Sequence, residues 1–534
     1  MNKILFLLVF AFFFSSNAQE DAWVYFIDKE NVEAAINNPT TILSQASVDR
    51  KNSKGIAIDF RDVPVNETYI SQIKNAQGVT VLAKSKWLNA IHVRGEETNI
   101  EALLESFSFI DNIDFADNSL NSASRVFTED NKFLIESTTV SFNYGDTQNQ
   151  VEMIGVDQLH LDDFTGEGIV VAVMDSGFPN VDTMGAFQRL RDNNDLLGGY
   201  DFVDRTDNVY EFSGSDHGTK VLSNMAGFIE DEFVGTAPDA SYYLFRTEDV
   251  AGENPVEESY WVEAAERADS LGVDVINTSL GYKSYDNPSY THTAGDLDGN
   301  STFITRGANI ANEKGILVVT SAGNSGSNGV GAPADGTGVF SIGAVNSDGN
   351  YASFSSQGSN AQATLKPDVA AQGQGSVVVN ASNTIVSNNG TSFSSPIMAG
   401  GLASLWQALP EATNKEIKEY ARISATQFEN PDFLLGYGIP NLSEALEIGL
   451  SVQDEGIQKV KIFPNPAKNF LTVQIINPSE FSGLSIIDLT GKLVLNLKLQ
   501  QASTILDISG FEQGIYILNL RSGENFNTFK LIKS

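Results

Sequence analysis

The spacing of apolar residues changes style along the chain. Residues 4–14 form an unbroken apolar run behind Lys3 and ahead of Ser16-Asn17-Ala18. A positive head, a short apolar stretch and a small-x-small exit predict a cleaved signal peptide over residues 1–18. The run is too short for the roughly 20 residues of a membrane span. Residues 22–116 then alternate short strand and helix patterns. Strands are predicted at 23–27, 79–83, 90–93 and 110–115, and helices at 69–74 and 100–107. The order β-α-β-β-α-β is the split β-α-β motif. The polar stretch 117–131 reads as an exposed linker, where proteolytic nicking concentrates.

From about 144 to 446 the pattern becomes strand, Gly-rich turn, helix. The apolar runs 169–174, 273–276 and 316–319 are rich in Val and Ile. Such runs predict strands buried on both faces, hence a parallel sheet with helices packed against it. Each ends in small or polar residues: Asp175-Ser176-Gly177, Asn277-Thr278-Ser279-Leu280-Gly281 and Ser321-Ala322-Gly323-Asn324. Open α/β sheets bind ligands beyond the carboxyl ends of their strands. Asp175, Ser279 and Asn324 are therefore expected at one crevice. After residue 460 the rhythm shortens to alternating segments at 471–475, 484–489, 492–497, 504–508, 515–520 and 526–532, the pattern of a small β-sandwich.

Charge narrows the function. There are 68 acidic against 33 basic residues, a net charge of −35. That excludes a nucleic-acid binder, which needs a basic face to displace counterions, and disfavours anionic membrane surfaces. No later segment is long and apolar enough to span a membrane. Cysteine is absent, so there is no disulfide, thiol nucleophile or thiolate metal site. Four histidines leave a zinc enzyme short of ligands.

The segment Gly390-Thr391-Ser392-Phe393-Ser394-Ser395-Pro396 leads into a helix of small apolar residues. Ser392 would sit at its N-terminus, where free N–H groups and the positive dipole end stabilise developing negative charge. Serine is also a common N-cap, and the segment alone leaves cap and nucleophile even. A serine nucleophile needs a base. Of His92, His160, His217 and His292, only His217 opens a tight small-residue helix, in Ser215-Asp216-His217-Gly218-Thr219-Lys220-Val221; His292 falls in a polar insert, 283–301. Adjacent side chains diverge, so Asp216 is incidental. Asp175, at a strand end, fits the carboxylate that orients the base.

These three blocks resemble the signature blocks of subtilases, the subtilisin-like serine peptidases, in the order Asp, His, Ser. Ser279-Leu280-Gly281 resembles the substrate-pairing segment, Ala322-Gly323-Asn324 the oxyanion-hole segment, and Gly436-Tyr437-Gly438 the close of the peptidase domain. The resemblance implies a secreted serine endopeptidase with catalytic Asp175, His217 and Ser392, oxyanion donor Asn324, and a substrate site at Ser279, Leu280, Gly281, Ala322 and Gly323. Main-chain pairing of the substrate with Ser279 to Gly281 implies broad specificity, and the small neutral walls imply an apolar or aromatic residue before the scissile bond. Where many subtilases carry a second histidine, this chain has Lys220.

The N-terminal module, with Ser85-Lys86-Trp87-Leu88-Asn89-Ala90, resembles the ferredoxin-like propeptide that chaperones and inhibits such peptidases. The C-terminal one, with Phe463-Pro464-Asn465-Pro466, Asp488-Leu489-Thr490-Gly491-Lys492 and Gly514-Ile515-Tyr516, resembles the C-terminal sorting domain of the Bacteroidota type IX secretion system. The expected order is signal peptide 1–18, propeptide 19–142, peptidase 143–448 and sorting domain 458–534, in a monomeric zymogen bound for the cell surface or medium. No cofactor is needed for the chemistry. Structural calcium is implied by the family without a site: Asp296-Leu297-Asp298-Gly299-Asn300 alternates oxygen ligands, but its glycine is misplaced for an EF-hand loop, and a solvated acidic turn fits better.

Overall fold

The computed structural model describes residues 19–121, 142–456, 460–463, 467–475, 483–488, 492–498, 503–522 and 525–533. The predicted signal peptide, most of the linker and the Pro464-Asn465-Pro466 and Leu489-Thr490-Gly491 segments lie outside them. Chain contacts divide the molecule into two compact units, Met1–Leu446 and Glu447–Ser534.

The first unit opens with an antiparallel sheet of β1 (Gln19–Phe26), β2 (Val79–Ser85), β3 (Ala90–Glu96) and β4 (Ile110–Phe115), in the order β2-β3-β1-β4. Helices Glu67–Lys74 and Glu97–Ser106 bury Ile70, Ile73, Ile100 and Leu103 against it. This is the expected split motif with one addition. The polar stretch between β1 and the first predicted helix also folds, as helices Val32–Asn37 and Gln45–Ser53. Its apolar spacing is weak because its buried positions are charged. Lys51 is fully buried, donating to Asp269 at 2.8 Å and facing Asp62 at 3.3 Å, while Lys314 donates to Asp62 at 2.7 Å. These ions are paired within the interior, as burial of charge requires.

The centre of the unit is a seven-stranded, wholly parallel sheet: β5 (Val170–Asp175), β6 (Leu196–Asp201), β7 (Ser241–Arg246), β8 (Val275–Thr278), β9 (Leu317–Ser321), β10 (Phe340–Val345) and β11 (Val369–Gln372). Their spatial order is β11-β10-β9-β8-β5-β7-β6. After β5 the chain goes to the edge strand β6, returns inward to β7 between β6 and β5, and then crosses to β8 on the other side of β5. That reversal opens a crevice at the carboxyl ends of β5 and β8, as in other open α/β sheets. Helices His217–Ala226, Val256–Leu271, Phe303–Glu313 and Thr391–Ala408 flank the sheet. The last is buried at every residue but Gln407. Its glycines are required by close approach: a Cβ on Gly400 would lie 2.1 Å from Thr236 Oγ1. Gly436-Tyr437-Gly438 pairs beside β11, with Tyr437 N–H donating to Asp368 and Ala370 N–H to Gly438.

The small sheet packs onto helix Val256–Leu271 through the propeptide-like segment. Glu266, fully enclosed there, accepts from Ser85 Oγ, Lys86 N–H and Trp87 N–H at 2.6, 2.8 and 2.9 Å. Burial pushes its carboxyl up to about 7. The insert 283–301 buries Tyr285, Tyr290 and Leu297.

The second unit holds two antiparallel sheets. One orders Val460–Phe463, Phe470–Ile475 and Ser503–Asp507; the other orders Leu493–Leu497, Gly483–Asp488, Gly514–Ser522 and Asn525–Lys533. Leu471, Val473, Ile486, Leu518, Leu520 and Leu531 share one core between them.

Candidate active site

Asp175 ends β5 and is fully buried. Its Oδ1 accepts from His217 Nδ1 at 2.7 Å and from Ser176 N–H at 2.7 Å. A carboxylate can only accept, so the imidazole hydrogen sits on Nδ1 and a neutral ring leaves Nε2 as an acceptor. The other carboxylate oxygen, Oδ2, is buried with no partner among the described residues. Burial pulls the His217 pKa down, but the charge and hydrogen bond of Asp175 outweigh it and hold the ring above its ordinary value. Ser215 supports this arrangement, its Oγ lying 2.8 Å from Ser176 Oγ and accepting from His217 N–H at 3.3 Å.

The other histidines are held by different partners. His92 is enclosed by Asp21 at 2.7 Å and Ser259 at 2.8 Å. His160 lies between Tyr144 and the Thr236 carbonyl, where burial pushes it down to about 4. His292 bonds Glu258 at 2.7 Å. His217 alone keeps a third of its side chain exposed while bound to a buried carboxylate. Asp216 pairs instead with Lys220 at 2.6 Å, one turn along the helix, so the lysine in place of a second histidine has a local partner.

Ser392 lies in the first turn of helix Thr391–Ala408, whose N-cap is Gly390. It is therefore not the cap. Pro396 explains how its backbone is held. Proline has no N–H for the carbonyl four residues earlier, and that carbonyl, of Ser392, accepts from Ser279 Oγ at 2.8 Å. The Ser392 side chain donates to the Ser279 carbonyl at 3.3 Å, and Phe393 sets its ring 5.8 Å from that of His217. Asn324 follows β9. Its Oδ1 accepts from Thr391 N–H and Oγ1 at 2.9 and 3.0 Å, which leaves Nδ2 as the outward donor. Ser279, Leu280, Gly281, Ala322, Gly323, Asn324 and Ser392 border one cavity of about 160 Å³. The sequence reading thus converges on two adjoining groups, the Asp175–His217 pair and this cavity.

It missed three features. Thr391 aligns the Asn324 amide, a role visible only once both loops meet. Lys283, assigned to the polar insert, borders the cavity. Glu248, Glu253 and Glu257 bring carboxylate oxygens within 4.8 Å of one another. Burial and mutual repulsion push Glu248 up to about 8 and Glu257 to about 9. Their spacing in the sequence gives little warning of this.

The carboxylates of both acidic groups already accept hydrogen bonds from the chain. Asp298 caps Asn300 N–H, Ser301 N–H and Ser301 Oγ, and Asp296 accepts from Thr293. Glu257 accepts from Asp249 and Asn254 N–H, and Glu248 from Tyr282.

A parallel sheet with a buried carboxylate–imidazole pair at one strand end, and a serine at the head of a buried helix beside it, is the framework of a serine-type hydrolase. Comparison with known proteins makes this specific. Residues 166–438 match the subtilase family, 21–132 the peptidase S8 propeptide domain of Bacteroidota, and 461–534 the secretion system C-terminal sorting domain. Subtilisin E of Bacillus subtilis is 33% identical over 302 residues, covering 56% of this chain and 70% of the relative. Subtilisin DY of Bacillus licheniformis is 30% identical over 302 residues, covering 56% and 97%. The chain belongs to the subtilase family: it is a serine-type endopeptidase with a propeptide domain and a type IX sorting domain, which directs it to the cell surface or the medium. Among the described residues no helix is long and apolar enough to cross a membrane.

Proposed function

We propose that the protein cleaves proteins through an acyl-enzyme with Asp175, His217 and Ser392 as its triad. The observation that carries this is the 2.7 Å bond from His217 Nδ1 to buried Asp175, which leaves Nε2 to serve as the base. Rotation of Ser392 about χ1 frees its Oγ from the Ser279 carbonyl and offers its proton to Nε2. Looser apo geometry of this kind is common and tightens with substrate. His217 takes the proton as Oγ attacks the peptide carbonyl, then gives it to the leaving amine; Asp175 stabilises the imidazolium. Water repeats the sequence to release the acid. Asn324 Nδ2 and the Ser392 N–H, one of the first-turn groups with no helical carbonyl partner, hold the oxyanion. No cofactor enters these steps.

Ser279, Leu280 and Gly281 pair with extended substrate backbone, which gives broad specificity. Leu280, Ala322 and Ala334 supply apolar walls for the side chain before the scissile bond. The enzyme acts as a monomer after removal of a signal peptide (1–18) and an inhibitory propeptide (19–142); the peptidase spans 143–448 and the sorting domain 458–534. Casein hydrolysis that stops on treatment with a serine-directed fluorophosphonate tests the reading. Hydrolysis that continues after full labelling, or no label on Ser392, overturns it.

Asn324→Leu should lower kcat by about 10²–10³ with little change in KM, because the lost hydrogen bond strengthens only in the transition state; that range comes from subtilisin itself. A large KM change at unchanged kcat would remove Asn324 from this role. Deleting residues from Gln458 onward should leave casein hydrolysis intact and retain the protein in the periplasm. Every proposed site residue lies within the first unit, which ends at Leu446, and the second has its own core. Fractionation of a native-host culture checks this; normal activity in the medium would contradict it.

A further inference from the structure

The cavity beside Ser392 is lined by small or neutral residues with one exception: among the described residues Lys283 is its only ionisable one. Its position is built into the backbone. Tyr282 and Ala332 exchange N–H···O bonds of 2.7 and 2.9 Å, and this short ladder sets Lys283 against the opposite wall. That wall consists of glycines where the lysine passes. A Cβ on Gly331 would lie 3.6 Å from Lys283 Cβ, and one on Gly329 would lie 3.6 Å from Lys283 Nζ. Gly331 is also fixed by space, since its Cβ would come within 2.9 Å of the Tyr282 carbonyl.

The Lys283 ammonium donates to the Asn328 carbonyl and forms no ion pair with a carboxylate among the described residues. In a chain with 68 acidic residues this is an unusual place for an uncompensated cation. An ammonium has three donors, so two remain after the Asn328 bond. A cation bordering a half-enclosed cleft favours a complementary anion in the partner that fills it.

Taking Ser392 as the nucleophile, as proposed above, we propose that Lys283 admits a second class of substrate side chain: a glutamate immediately before the scissile bond. The glutamate methylenes occupy the apolar space along Leu280, Ala322 and Ala334, and its carboxylate accepts from the Lys283 ammonium. Apolar and aromatic side chains use the same walls without the ion pair. Lys283 is thus a specificity residue that discriminates by charge at the end of an otherwise apolar pocket.

The test uses enzyme matured from the full-length chain and three peptides that differ only before the scissile bond: Glu, its neutral isostere Gln, and Phe. Wild type should show kcat/KM for Glu about two- to fivefold above Gln at low salt, the size of a partly exposed ion pair. The ratio should fall toward one as salt screens the charges. In Lys283→Met the Glu/Gln ratio should fall to one or below, and in Lys283→Glu it should fall further through repulsion. Each ratio is read within one variant, so a general change in activity cancels. A wild-type ratio at or below one while the Phe peptide is cleaved, or a ratio unchanged in Lys283→Met, overturns the role of Lys283. Failure to cleave any peptide, with no fluorophosphonate label on Ser392, overturns the peptidase reading beneath it instead.

Discussion

Ser392→Ala is expected to lower kcat by about 10⁶, the scale on which a subtilisin loses activity when its serine is removed. The loss is nearly total because the remaining groups have no covalent step to assist. His217 would hold a basic Nε2 with no hydroxyl to deprotonate, and the oxyanion donors would stabilise only the slow attack of water. The fold should survive. The Ser392 side chain makes one 3.3 Å hydrogen bond, to the Ser279 carbonyl, and losing such a bond costs about 1 kcal/mol. The carbonyl of residue 392 would still accept from Ser279 Oγ, since that bond uses backbone. If propeptide removal is autocatalytic, the variant should also accumulate as uncut precursor. Casein assays, gel analysis of the precursor and a thermal melt check the three parts. Hydrolysis within tenfold of wild type would remove Ser392 from the nucleophile's place.

Much of this site was legible because its residues sit at the ends of strong local patterns. The Val- and Ile-rich run ending at Asp175, and the glycine-led helix holding Ser392, are local signals that tertiary packing preserved. The four-histidine count singles out His217 by elimination, and His92, His160 and His292 each have separate partners. What sequence could not show depends on long-range meetings. The bond between Ser279 Oγ and the Ser392 carbonyl joins residues 113 positions apart, and the Thr391–Asn324 bonds join residues 67 apart. The helices between β1 and residue 67 were missed for a different reason. Their buried positions include Arg50 and Lys51, which an apolar-periodicity reading assigns to solvent. Their burial is offset by partners elsewhere in the chain, Asp269 for both and Asp62 for Lys51 as well. Lys283 was misplaced likewise, because a lysine in a polar insert gives no hint of a pocket wall.

Asp175→Asn is expected to lower kcat by about 10⁴, the size of the same change in the serine-protease template. The amide is isosteric, so packing is retained and the effect is electronic. It has two orientations, and both impair catalysis. With its oxygen at the Oδ1 position it keeps the Ser176 bonds, but buries an NH₂ where Oδ2 now has no partner. With the groups reversed, the NH₂ faces His217 Nδ1 and forces the hydrogen onto Nε2, which then cannot act as a base. Either orientation removes the negative charge. That common consequence gives a test independent of the size of the loss. In wild type, Asp175 holds the His217 pKa above its ordinary value against the opposing pull of burial. Without the charge, burial acts alone and the pKa falls. The acid limb of kcat/KM reports the free-enzyme base, so the residual activity of the variant should persist to lower pH than that of wild type. A pH–rate profile of both enzymes, measured with one peptide, decides the matter. An acid limb that stays in place, together with a loss smaller than tenfold, would show that His217 takes neither its tautomer nor its basicity from Asp175.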